Sequence, residues 1–181
     1  MNQCTKILLF EYAIHQLIEW YKEVCPNATT LLYSHFSRLA SLKLLFLVST
    51  VQDKNNRNSD LLDIFDNFCA MQYGPVEVDV YSAIVRKETS CYNFGNRNLS
   101  FKSAIPDFSQ LGVELINRVD NAIAILRKFN PSLMLNTPFQ LVEITHKWYA
   151  WQSAMDTAEW FGKGSEPMST ESIRNSTPYY G

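Results

Sequence analysis

Only three histidines occur in this 181-residue chain, His15, His35 and His146, and none belongs to an H-E-x-x-H pair. Neither G-x-x-x-x-G-K-[ST] nor G-x-G-x-x-G is present, so the loops that cradle nucleotide phosphates are missing. The four cysteines, Cys4, Cys25, Cys69 and Cys91, include no C-x-x-C, which argues against a zinc site built from paired ligands. A chain of this size needs no disulfide scaffold, and free thiols in a reducing cytoplasm are expected. No charged, apolar and small-residue succession marks a signal peptide at Met1. The most apolar run, Leu39 to Val48, contains Lys43 and is too short to span a bilayer, so no membrane partner is expected. A net charge of -2 leaves no broad basic footprint and argues against direct nucleic-acid binding.

Hydrophobic residues make up 46% of the chain, enough for one domain with a sizeable core. Apolar spacing predicts a first helix over Thr5 to Val24, stopped at Cys25-Pro26-Asn27, with Thr29 or Thr30 as the next cap. A second, from about Leu31 to Val51, is apolar nearly all round, the pattern of a central buried helix. After a polar loop over Gln52 to Ser59, Ser59 or Asp60 caps a segment in which Leu61, Ile64, Phe65 and Phe68 share one helical face. Val76, Val80 and Ile84 then recur every four residues beyond Gly74-Pro75. The prediction is helix, tight corner, helix, with Gly74 left-handed past one helix end and Pro75 in the first turn of the next. Ser90 to Phe101 reads as an irregular loop or short hairpin. Further helices are expected over Gln110 to Phe129, from Thr137-Pro138 to His146, and around Ser169 to Arg174. The expected fold is therefore mainly α: a single-domain bundle of about six to seven helices, with a loop or short hairpin near residues 88–105. Residues 1–28 form an N-terminal helix packed on a domain of residues 29–181.

Candidate chemistry is sparse. Lys43 lies on an apolar helix face, where an unpaired ammonium is costly. A structural ion pair with Glu77, Asp79 or Glu143 is expected; a partner-facing charge in a groove is the alternative. Asp60, Asp63 and Asp66 recur every three residues and read as a solvated stripe at a helix N-terminus. A thiolate from Cys69 or Cys91 beside His146 would make a small hydrolase, but the spacing gives no support, and His146 reads as a helix-end residue bonded to a carbonyl or carboxylate. No residue is assigned a catalytic, cofactor-binding or metal-binding role, and no cofactor is expected. Trp148, Tyr149, Trp151, Trp160 and Phe161 crowd the last third of the chain, and binding anchors are enriched in such residues. Trp148 and Trp160 are the candidates for an exposed partner-binding surface, with Trp151 assigned to the core.

Three separated motifs resemble the Panacea family, the SocA-like antitoxin domains. The first is Lys43-Leu44-Leu45-Phe46-Leu47; the second runs from Phe65 and Ala70 through Tyr73-Gly74-Pro75-Val76 to Tyr81; the third is Thr145-His146-Lys147 followed by Trp151. The resemblance covers roughly residues 30–180. It implies a bacterial or prophage-encoded antitoxin of a toxin-antitoxin system, cytoplasmic and not an enzyme, that neutralises a cognate toxin protein by direct contact. It also implies, as alternatives, an adaptor delivering the toxin to a cellular protease, or an accessory protein of a mobile element that binds a host factor. Tyr179-Tyr180, in line with the resemblance, is expected to be pinned to the body.

Overall fold

Side-chain oxygens open five of the seven α-helices found among the described residues, and the caps set where each begins. The computed structural model describes residues 2–27, 34–52, 60–102 and 106–181. Its helices are α1 (Gln3–Val24), α2 (Arg38–Thr50), α3 (Val78–Arg86), α4 (Val113–Phe129), α5 (Pro138–His146), α6 (Tyr149–Trp160) and α7 (Thr170–Arg174). Its strands are β1 (Phe68–Met71), β2 (Gly74–Glu77), β3 (Tyr92–Phe94), β4 (Leu99–Phe101) and β5 (Ser165–Met168). The expected caps at Thr29, Thr30 and Ser59, residues 31–33 and most of the 52–59 loop lie outside the described residues. The helix expected to run from about Leu31 to Val51 is interrupted at Phe36-Ser37, and the Ser37 side chain caps α2 at Arg38.

Helix makes up 56% of the described residues and strand 11%, so the fold is mixed α/β and the all-helical bundle is corrected. One antiparallel sheet has the order β2-β1-β5, and β3 and β4 form a separate hairpin. The predicted helix over Asp60 to Ala70 is absent. Leu61 to Phe65 make a single turn, in which the Phe65 N–H bonds to the Leu61 carbonyl at 2.8 Å, and β1 follows. Leu61, Ile64, Phe65 and Phe68 are all buried as their spacing implies, but one turn and a strand bury the same positions. Over eight residues the two patterns coincide, and pairing of β1 on both edges decides for the strand. Pro75 sits in β2 rather than in a helix. That strand forms an outer edge of the sheet, where a missing N–H costs least.

α2 runs through the middle, with every residue from Ala40 to Thr50 buried. α1, α4, α5 and β2 pack around it, and α6 covers β1 and β5. Thr137 and Gln140 form a reciprocal capping box at the start of α5, with Pro138 in its first turn. The chain end closes over this core. Tyr180 is buried and donates to the Thr50 carbonyl at 3.1 Å; Asn130 and Trp148 donate to the carbonyls of Tyr180 and Tyr179, both at 2.8 Å.

Charged groups are buried where they tie distant segments together. Glu11, on α1, accepts the backbone N–H groups of Ser90, Cys91 and Tyr92 at 2.7–2.9 Å and so holds the entrance to β3. Burial pushes its carboxyl pKa upward against those three donors. Of the three aspartates read as a solvated stripe, Asp63 and Asp66 are exposed and only Asp60 is not. Asp60 is fully buried and grips Arg174 at 2.8 and 2.9 Å, Asp63 pairs with Arg118, and Asp66 with Lys6. Glu11→Ala leaves three backbone donors without their acceptor, two of them buried, and should lower the unfolding free energy by about 3 kcal/mol. Glu19→Ala removes only a surface pair with Lys22 and should stay within about 0.5 kcal/mol. Equal urea midpoints for the two variants would overturn this account of Glu11.

Candidate functional site

The turn between β1 and β2 is the point on which the three motifs converge. Met71 pairs with Gly74 across a two-residue turn, Gln72-Tyr73. Neither turn residue has positive φ, so the backbone reversal is completed by Gly74 at φ +93°. Gly74 is left-handed as expected, but it closes a hairpin rather than a helix. A side chain there would also collide: a Cβ on Gly74 would lie 2.6 Å from the Thr145 hydroxyl and 3.2 Å from the Lys43 ammonium.

Three residues from other elements hold this turn. Lys43, from α2, donates to the Pro75 carbonyl at 2.5 Å. The Trp151 indole, from α6, donates to the Met71 carbonyl at 3.0 Å. His146, at the end of α5, stacks on Trp151 with ring centroids 3.8 Å apart and planes 9° from parallel, beside the backbone of Gln72. Thr145 donates its hydroxyl to the Val142 carbonyl, which fixes the oxygen against Gly74. Leu44, Leu45, Phe65 and Ala70 are core residues behind the turn, and Val76 is buried beside them. Tyr73 is exposed at the tip, and Tyr81 lies at the surface under the Arg38 guanidinium, 5.6 Å from its ring centroid.

The expected ion pair at Lys43 does not form. Glu77 and Asp79 are taken by Lys6, at 2.6 and 2.7 Å, and Glu143 is exposed. Lys43 is fully buried with no carboxylate partner among the described residues, and desolvation brings its amine down to about 7. Lys6 shows the opposite case. Burial works against its charge, but Asp79, Glu77 and Asp66 surround it and raise its pKa overall. Those three carboxylates are close enough together to hold a metal ion, and the Lys6 ammonium supplies the positive charge among them.

The Cys-His reading gains nothing from the geometry. Burial pushes both the Cys69 and Cys91 thiols upward, with nearby carboxylates adding to the effect. An activated thiolate needs the reverse. Burial also holds His146 below its ordinary value, against the pull of Glu143 and with a contribution from Lys43.

Trp148 is corrected from the exposed to the buried class. It is 1% exposed, edge-on to Phe46 and Tyr180, whereas Trp160 is 85% exposed. Beside the turn lies a cavity of about 510 Å³ whose wall includes Arg38, Leu42, Lys43, Met71, Tyr73 and Tyr81. Arg38 and Asn96, which hydrogen-bond to each other there, carry no signal in the sequence, because only the fold brings α2 to the β3–β4 turn. No protein-family model, curated protein or solved structure matches the chain.

Two expectations test this geometry. Gly74→Ala should cost about 2 kcal/mol or more, above the ~1 kcal/mol of a left-handed backbone alone, and Thr145→Ala should recover part of it. An identical cost with and without the Thr145 hydroxyl would show that the close approach is not responsible. For Lys43, the folded amine loses its proton near pH 7 and the unfolded one near 10.5. Between those values the unfolded state binds the extra proton, so this group makes stability rise with pH, by up to about 1.4 kcal/mol per unit. Stability curves of wild type and Lys43→Met from pH 6.5 to 9.5 should diverge accordingly, and parallel curves would refute the assignment.

Proposed function

We propose that the chain is a binding protein of the antitoxin type, which neutralises a cognate toxin by direct protein-protein contact. The observation that carries this reading is a strip of the α6 surface with an exposed aromatic side chain at each end. Tyr149 and Trp160 stand eleven residues apart, close to three helical turns, so they share one face about 16 Å apart. Both are strongly exposed, with Ser153 and Asp156 exposed between them, and Phe161 is a third exposed aromatic just past the helix end. Large exposed aromatics on a rigid helix are the side chains that anchor protein interfaces. The motif residues have a supporting role in this reading. His146 and Trp151 lock α5, α6 and the β1–β2 turn together, which keeps the strip rigid.

The test is co-expression with each neighbouring gene product, with an affinity tag on this chain. A growth-arresting neighbour should be rescued and should co-purify. Rescue accompanied by loss of the neighbour's protein would instead favour delivery to a cellular protease. Trp160→Ala should weaken rescue at least tenfold in inducer titration without changing the melting temperature. Trp148→Ala should fail through loss of the fold, lowering the melting temperature by several degrees. Full rescue by the Trp160→Ala and Tyr149→Ala double variant would remove the strip from the interface.

A further inference from the structure

The cavity beside the β1–β2 turn has a one-sided charge pattern. Of the twelve described residues that line it, two are basic, Arg38 and Lys43, and none is acidic. Most of the remaining wall is apolar or aromatic, including Leu42, Met71, Tyr73 and Tyr81. At about 510 Å³ it falls within the range of sites that enclose a small organic molecule.

Both cations are set in place before any ligand arrives. The Arg38 backbone N–H donates to the Gly95 carbonyl at 2.8 Å, while its guanidinium bonds to the Asn96 side chain and lies over the Tyr81 ring. A planar guanidinium held in this way still has donors for a carboxylate and loses little freedom on binding one. Lys43 makes a single hydrogen bond, to a neutral carbonyl, and has no counter-charge among the described residues. An anion in the cavity would supply the charge that this buried amine lacks.

We infer that this cavity is a binding site for an apolar carboxylate: an acid group on an aromatic or aliphatic stem, either as a free small molecule or as the C-terminal residue of a polypeptide. The stem lies against Leu42, Met71 and Tyr73, and the carboxylate meets Arg38, with Lys43 behind it. This inference does not depend on the antitoxin reading, because it needs only the purified chain.

Calorimetric titration with 4-phenylbutyrate, 4-phenylbutanol and 4-phenylbutylamine separates charge from shape. The acid should bind at least tenfold more tightly than the alcohol, and the amine should show no measurable binding. Arg38→Gln should bring acid and alcohol within about twofold of each other, whereas Arg127→Gln, whose guanidinium pairs with Glu23, should leave the preference unchanged. Amide NMR shifts of the wild-type protein test the location without any variant: the acid should perturb residues 38–43 and 71–76. Equal binding of acid and alcohol, no binding of the acid at millimolar concentration, or shifts confined to other segments would each overturn the inference. A short acetylated peptide ending in phenylalanine, compared with its amide, assigns the source. Tighter binding than phenylbutyrate that is lost in the amide supports a chain end, and weaker binding supports the free acid.

Discussion

The hydrogen bond from the Lys43 ammonium to the Pro75 carbonyl is the contact on which the architecture turns. It joins the central helix to the sheet edge at a point where no carboxylate among the described residues offsets the charge. Desolvating an amine is expensive, and a single neutral acceptor returns only part of that cost. The hairpin must therefore stay close, and its closeness dictates the neighbours. Position 74 has to lack a side chain, the Thr145 hydroxyl has to turn back to its own helix, and the Met71 carbonyl is left for Trp151. Motifs more than a hundred residues apart in the chain are thus parts of one packing solution.

Much of that solution was visible in the chain before folding was considered. Lys43 announced itself as a charge on an apolar face, and Gly74 as a position needing an unusual backbone. What the residues did not reveal was the partner in each case. Lys43 meets a carbonyl because Lys6, sixty and more residues from its three carboxylates, has already claimed the nearby acids. Gly74 closes a hairpin because β5, nearly a hundred residues later, pairs with the far edge of β1. Local spacing carries no record of either event, so a strand flanked by one helical turn passed for a helix. Trp148 was misplaced for a related reason. Its cavity is completed by Tyr180 from the chain end, which no helical periodicity reports.

Several buried charges connect distant segments of the chain. Glu11 fastens α1 to the β3 entrance, Asp60 fastens the segment before β1 to α7, and Lys6 gathers Asp66, Glu77 and Asp79. Each joins segments of the chain sixty or more residues apart with several directional bonds, where apolar packing alone would leave the register loosely set.

The position of β5 and of Tyr180 also bears on the order of events during synthesis. β1 is the middle strand of its sheet, yet one of its two partners emerges from the ribosome almost a hundred residues after it. Until then the strand has an open edge, the surface that invites pairing with other chains. The residue that closes the core over Thr50 comes later still. The sheet and the core are thus completed only when residues 165–168 and Tyr180 have been made, and β1 must keep an unpaired edge through the synthesis of more than ninety residues.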